Sequence, residues 1–327
     1  MSLLFLKNGI LTTIQDLGRS GFRRLGINPN GVMDDRAVRL INVLLGNNET
    51  TGVLEMHFPA PSLLFETNAI IALGGANFSP KLGEIEIENW RPFFVSEGSV
   101  LSFAHKKSGA GAYLAVQGGF KIASWLGSES TNLKAKSGGF EGKALQKGDR
   151  LFFNQTTAAK ERKSRFPFKV SNSLIPHYSS FPTVRAITGA EYENLTAEGK
   201  ETFLTTSFAV RNESDRMGFR LRNESLNLTE KLELVSSATN FGTIQLLPDG
   251  QLIILMADHQ TTGGYPRIAH VISADLPLLA QLNANDKVYF RLVSVGEAEN
   301  AILHFENELN YLRVGCKFVN ASSPGSI

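Results

Sequence analysis

At 327 residues the chain has room for about two domains, and its 42% hydrophobic and 20% charged content is that of an ordinary globular protein. Lys and Arg number 33 against 31 Asp and Glu, a formal charge of +2. That is too small for a field that gathers nucleic acid or an anionic membrane surface. The single cysteine, Cys316, excludes an internal disulfide and fits a reducing cytoplasmic setting, where it reads as a small buried apolar residue.

The opening "MSLLFLKNGILTTIQD" has no basic leader, and Lys7 interrupts its apolar run, so it is predicted as a first strand rather than a signal or membrane segment. "TTIQDLGRSG" then sets Gln15, Asp16 and Arg19 beside Gly18 and Gly21. In "NGVMDDRAVRLINVLLGN", Asp34 is the predicted cap of a helix with Ala37, Leu40, Ile41, Leu44 and Leu45 on one face and Gly46 as its stop. Met33 and Asp34 at that start are candidates to hold an anion, because first-turn N–H groups lack intrahelical partners.

Short strands are expected at 63–65, 69–73, 92–95, 100–104 and 112–117, separated by glycine-bearing turns such as "AVQGGF", "LGSESTN" and "GGFEGKALQKGDR". "GGFEGKA" resembles a phosphate-binding loop, but its spacing is one residue short and Ala144 stands where a magnesium-binding Ser or Thr belongs. Lys160, Arg162, Lys163 and Arg165 read as a solvated linker. The linker, 161–182, is expected to join an N-terminal half, 1–160, to a C-terminal half, 183–327.

In the second half, strands are expected at 184–188, 208–211, 232–235, 243–247, 252–257 and 288–292. Helices are expected around 191–198, after Ser273 in "ADLPLLAQLNAN", and after Ser294 in "VGEAENAILHFENEL". "NESDRMGFRL" presents Asp215 and Arg216, and "GTIQLLP" presents Gln245. "ADHQTTGGYPRIAHV", 257–271, follows an apolar run with Asp258, Thr261, Thr262, Gly263, Gly264 and Tyr265. Each of these also has a plain structural reading: Asp16–Arg19 and Asp215–Arg216 as turn-stabilising ion pairs, Asp34 as a cap only, Gly263-Gly264 as a hairpin turn.

The density of short strands points to a mainly β protein with a few helices, built as two barrel halves. "DDRAVRL" and "SDRMGFRL" repeat at an offset of 180, and Ala69 and Leu252 start similar runs at an offset of 183, which suggests a pseudo-repeat. No zincin pair, Gly-x-Ser-x-Gly elbow or Ala-Met-Lys-Met biotin segment occurs, so no metal site is expected and biotin is not carried by this chain.

Taken in order, "GILTTIQDLGRSGFRRLGINPNGVMDDRAVRLINVLLGN", "LGSEST", "GGFEGKALQKGD", "SDRMGFRL" and "GTIQLLPDGQLIILMADHQTTGGYPRIAHVISADLPLLAQL" resemble the family of the C subunit of bacterial ATP-dependent 5-oxoprolinase. That family includes Kip-type antagonists of a kinase inhibitor and is similar to the C-terminal half of the urea carboxylase carboxyltransferase domain (allophanate hydrolase subunit 2-like). The resemblance runs from about residue 1 to 293. It implies cyclophilin-like barrel halves, a homologous B subunit and a lactam-hydrolase-like A subunit as partners, and ATP used by the complex but not clearly bound by this chain. A small amide is the implied substrate, and a homo-oligomer is compatible with it. Glu129 stands where the family usually has a basic residue, and Lys143 replaces an arginine, exchanging a planar fork for a point charge.

For opening a lactam, Gln15 and Gln245 are candidates to bind the amide, and Arg19 and Arg216 to hold a carboxylate or phosphoryl oxygen. Asp258 is the candidate general base, with Thr261, Thr262 and the Gly263–Gly264 backbone as donors and Tyr265 as a pocket wall. Three functions compete: a component of a 5-oxoprolinase that is inactive alone, a Kip-type regulatory binding protein, and a carboxyltransferase acting on urea or a related amide with biotin carried elsewhere.

Overall fold

A computed structural model describes residues 1–154, 166 and 168–321. The basic cluster Lys160, Arg162, Lys163 and Arg165, and with it the start of the expected linker, lies outside the described residues. The chain forms two compact units, Met1–Gly18 with Asp34–Pro176 and Phe305–Ile327, and Arg19–Met33 with His177–His304.

The first unit holds β1 (Ser2–Lys7), β2 (Thr12–Gln15), helix α1 (Asp35–Leu45), β3 (Val53–His57), β4 (Ser62–Phe65), β5 (Ala69–Asn77), β6 (Pro80–Leu82), β7 (Ile85–Glu86), β8 (Pro92–Val95), β9 (Val100–Phe103), β10 (Ser108–Val116) and β11 (Arg150–Phe152). They form two antiparallel sheets, in the orders β11-β1-β4-β9-β6-β7 and β2-β3-β10-β5-β8. Alternate residues of both sheets, among them Leu3, Phe5, Leu63 and Phe65 from one and Ile14, Leu54, Ile71 and Leu114 from the other, make a common core. Asp34 caps α1 by accepting the Ala37 N–H at 2.9 Å, and Gly46 ends it at φ 73°. The helix lies close on β5 because Gly74 has no side chain: a Cβ there would sit 2.7 Å from Ile41 Cγ2.

The second unit holds β12 (Thr183–Thr188), α2 (Ala197–Thr205), β13 (Phe208–Val210), β14 (Gly218–Arg222), β15 (Ser237–Ala238), β16 (Thr243–Leu246), β17 (Leu252–Leu255), β18 (Thr262–Gly263), β19 (Arg267–Val271), α3 (Leu276–Ala280) and β20 (Lys287–Leu292). Seven strands close into a barrel, β12-β19-β16-β17-β14-β13-β20, sealed by a parallel pairing of β12 with β20. Phe219, Leu221, Ile244, Leu246, Leu252 and Ile254 fill its interior, and the Phe203 and Phe290 rings stack at 4.8 Å. The described chain is therefore mainly β with four helices, the fourth being α4 (Val295–Ala321). Among the described residues no helix is long and apolar enough to cross a membrane.

Several expected elements differ. No strand forms at 232–235, an unpaired stretch in which Val235 is 91% exposed. The helix expected at 191–198 is a single 3₁₀ turn, Tyr192–Asn194, and the α-helix begins only after Thr196, whose hydroxyl accepts the Gly199 N–H at 3.0 Å. Ser273 makes no cap. It opens the 3₁₀ turn Ser273–Asp275, whose Asp275 is held by Arg185 at 2.6 Å. Ser294 does start a helix, through a reciprocal pair with Glu297, and that helix continues to Ala321. The repeated "DR" falls on unlike elements, opening α1 in one case and lying in the turn before β14 in the other. The residues that follow decide this: apolar side chains recur every three to four residues after Arg36 and every second residue after Met217.

Candidate functional site

Beyond the end of β17 its pairing with β14 continues. Met256 N–H donates to Met217 O at 3.0 Å and Asp258 N–H to Arg216 O at 2.8 Å. This extension brings Arg216 against Asp258. Arg216 donates from Nε to Asp258 Oδ2 and from Nη2 to Oδ1, each at 3.0 Å, and its Nη2 also reaches Gly31 O at 2.6 Å. Asn30 Nδ2 donates to the same Asp258 Oδ1 at 2.6 Å, and Asn28 Nδ2 to the Asp258 carbonyl at 3.0 Å. Arg19, 2% exposed, donates to Asn30 Oδ1 at 2.5 Å. The second unit thus ties the loop around 28–31 to the ends of two barrel strands through a bidentate, charge-assisted pair. Arg216 turns to Asp258, not to Asp215 beside it. The Asp215 carboxylate accepts the Met217 N–H at 2.8 Å and the Gly218 N–H at 3.3 Å and so shapes the turn.

The rest of 257–271 divides its work. His259 is 2% exposed, and burial lowers its tendency to protonate, which the nearby Arg23 charge reinforces against the Gln260 carbonyl hydrogen bond. Arg23 donates to Asn240 Oδ1 at 2.6 Å and to the Thr239 carbonyl. Thr261 gives its carbonyl to Thr239 N–H at 3.1 Å. Thr262 is exposed, and with Gly263 it pairs with Ser237–Ala238, so Gly263 belongs to a two-stranded ribbon and not to a hairpin turn, and Gly264 follows the ribbon. Gly263 is required for closeness: a Cβ there would lie 2.7 Å from Gln245 Nε2 and 3.2 Å from Thr239 Cγ2.

Beside this ribbon lies a cavity of about 660 Å³ on the outer face of β14, β17 and β16. Ile253 and Leu255 form part of its wall, with Gln245, Gln260, Tyr265, Arg220 and Asp215 among its polar groups. Gln245 is fully buried; its Nε2 donates to the Tyr265 carbonyl at 3.3 Å, and its Oε1 has no hydrogen-bond partner. Tyr265 is 44% exposed, so it lines the cavity without sealing it. A Cβ at Gly264 would make ordinary contacts, 3.5 Å from the Ser236 hydroxyl and 3.6 Å from the Leu234 carbonyl. Arg216, Asp258, Thr261 and Thr262 are not part of this lining.

Gln15, Asp16 and Asp34 belong to the first unit. Gln15 Nε2 donates to Thr13 Oγ1 at 3.1 Å and Thr131 O at 3.2 Å, leaving Oε1 without a partner. Asp16 accepts from Ser128 Oγ, Ser130 Oγ, the Glu129 N–H and the Gly18 N–H at 2.5–2.7 Å. Asp34 is fully buried, and since its carboxylate itself takes the free Ala37 N–H, the expected anion seat at that helix start is filled from within. Met33, 4% exposed, sits in the second unit's apolar core rather than on a binding surface. Of the expected set, then, Arg19, Arg216 and Asp258 come together, Gln245, Tyr265 and Asp215 share the cavity, and Thr262 and Gly263 lie in the ribbon beside it. Sequence reading missed Asn30, Arg220 and Gln260; the alternation in "GFRLR", which places Arg220 on the face opposite Phe219, was the available signal. Among the described residues, no group of three or more His, Cys, Asp or Glu is placed to hold a metal ion.

The chain has clear relatives among known proteins. The family model described as carboxyltransferase domain, subdomain A and B, matches residues 25–292. A protein of Haemophilus influenzae named as the C subunit of 5-oxoprolinase is 39% identical over 297 residues, covering 91% of this chain and 92% of its own length. One of the same name from Escherichia coli K12 is 36% identical, covering 91% and 94%. Among solved structures, the Kluyveromyces lactis urea carboxylase superposes with a TM-score of 0.88 at 28% identity, over 95% of this chain but 29% of that one.

Proposed function

This chain belongs to the family of carboxyltransferase domains with subdomains A and B, and from that premise we propose that it serves as the C subunit of a 5-oxoprolinase. The observation that carries the reading is mutual coverage: this chain and its relatives of that name match nearly end to end, whereas it spans only part of urea carboxylase. The complex opens 5-oxo-L-proline to L-glutamate: water adds to the ring carbonyl, the ring C–N bond breaks, and its nitrogen becomes the amino group. An amide carbonyl is a poor electrophile, so ATP, used by the complex, supplies the activation: its γ-phosphoryl group passes to the carbonyl oxygen with release of ADP, and after water adds, that group leaves as inorganic phosphate. The partners are a lactam-hydrolase-like A subunit and a homologous B subunit, and biotin is not carried here.

In this reading Arg216, Asp258, Asn30 and Arg19 act by position. Three donated hydrogen bonds occupy the Asp258 carboxylate, which therefore fixes the 28–31 loop instead of abstracting a proton. Thr262 and Gly263, flanked by the Thr261 carbonyl contact to Thr239, supply the ribbon that borders the cavity, while Gln15, Asp16 and Asp34 serve the first unit's fold. Co-expression with the A-like and B-like subunits, followed by measurement of ATP-dependent glutamate release from 5-oxo-L-proline, tests the proposal. A verified complex that releases none overturns it. The second reading, a carboxyltransferase with biotin brought by another chain, draws on the structural match to urea carboxylase. It predicts that the same preparation moves a carboxyl group from carboxybiotin to urea.

A further inference from the structure

We infer that the outer face of the second unit's barrel is a binding site for a small acid with an N–H beside its carboxylate, Gln245 accepting the N–H and Arg220 holding the carboxylate. The inference rests on the functional reading above for its choice of ligand, but its geometry is that of the cavity alone.

Strand register places the two groups. Arg220 on β14 and Gln245 on β16 both stand directly opposite Ile253 on β17. Residues opposite one another share a face, so the three form one row across three strands, with Arg220 and Gln245 roughly 10 Å apart at their backbones. All three line the cavity. At one end of the row is a fully buried carboxamide whose Nε2 is engaged by the Tyr265 carbonyl and whose Oε1 has no partner. Because a backbone carbonyl only accepts, that contact fixes which amide atom is the nitrogen, and the free atom is an acceptor awaiting a donor. At the other end, the Arg220 guanidinium is exposed and makes no hydrogen bond or ion pair among the described residues. Ile253 between them gives an apolar floor, and Gly218 makes room for it: a Cβ there would lie 2.8 Å from Ile253 Cδ1.

Three carboxylates also border the cavity, and each already has local work. Glu213 pairs with Arg211 at 3.1 Å, Asp215 caps the turn before β14, and Asp249 accepts the Gln251 N–H at 3.1 Å. Arg220 is the ionic group left for a ligand. A saturated five-membered lactam with a carboxylate on the carbon next to its nitrogen has both complements on one edge, and its ring methylenes suit the Ile253 floor.

Titration of the full-length chain, by calorimetry or saturation-transfer NMR, with three probes tests this. The probes are 5-oxo-L-proline, the lactone with a ring oxygen in place of the N–H, and 2-pyrrolidinone, which lacks the carboxylate. The lactam acid should bind about tenfold more tightly than either analogue, the usual effect of leaving a buried or charged group unmatched. Arg220→Gln should erase the preference over 2-pyrrolidinone, and Gln245→Met the preference over the lactone. Equal binding of the three probes, no binding, or unchanged preferences in Arg220→Gln overturns the site; Arg220 is exposed, so that variant decides even where Gln245→Met does not fold. Failure to bind alongside glutamate release by the reconstituted complex removes this site and leaves the functional reading standing. The stated preferences in a chain whose complex releases no glutamate do the reverse.

Discussion

Asp16 and Asp258 both follow a buried strand, and the two units hold them by different means. Asp16 is wrapped by neutral donors, two serine hydroxyls and two backbone N–H groups. Asp258 is gripped by a guanidinium and a carboxamide, from Arg216 and Asn30. A buried carboxylate needs donors, and a cation is one way among several to supply them. The difference lies in what removal leaves behind. Around Asp16 the hydroxyls can turn to other partners, whereas beside Asp258 a guanidinium that is nearly buried would keep its charge and lose the matching one.

The contrast breaks most clearly in Asp258→Ala, expected to cost about 3 kcal/mol in denaturant unfolding because the nearly buried Arg216 loses its bidentate carboxylate contact. Replacing both partners, as Arg216→Met with Asp258→Leu, should recover part of that loss, since the Asn30 amide and the Gly31 carbonyl still lose their contacts; a double variant as unstable as the single one would show that the pair is not the cause. Asp16→Ala should cost less, about 2 kcal/mol, since the orphaned donors are neutral. Both tryptophans, Trp90 and Trp125, lie in the first unit, so their fluorescence follows that change directly. Gly263→Ala should cost about 1–2 kcal/mol by displacing the buried Gln245 amide, with a wild-type melting temperature the outcome that would refute the close approach.

The smallest effect is on pH dependence. Burial holds His259 and His270 of the second unit below the ordinary imidazole range. Their unfolded forms take up a proton first, so the stability they contribute is complete above about pH 6.5 and declines as the pH falls below it. Melting temperature between pH 7.5 and 5 should drop, and less so in His259→Gln; an identical slope in that variant would assign the effect elsewhere.

Strands are legible where apolar residues recur at period two and a partner strand follows within a short turn, as at Thr243–Leu246, where Ile244 and Leu246 enter the core, β17 follows, and the strand ends one residue before its expected bound. The α1 helix is legible in full, from its Asp34 cap to Gly46. At 232–235 the same periodicity misleads, because alternation in a segment with no partner describes an exposed chain as well as a strand. The candidate site is legible by residue type and not by grouping. Asp258 and Gln245 stand out from "ADHQTTGGYPRIAHV" and "GTIQLLP", but which donors each meets depends on register across β14, β17 and β16. Arg220 does not stand out in the sequence, since a lone charge on an alternating strand looks like a solvated surface until the neighbouring rows are known.

The parallel seam between β12 and β20 has a consequence for recruitment. A closed barrel offers no unpaired strand edge, so nothing can join the barrel by extending its ladder. The sheets of the first unit end in β11, β7, β2 and β8, and two of these edges are covered from within: the Leu145 and Thr131 N–H groups donate to the Thr12 and Ile14 carbonyls of β2, and the Lys121 N–H donates to the Phe152 carbonyl of β11. Any protein that meets the barrel must therefore recognise side chains and loops, which makes that half of the molecule selective in its contacts by construction.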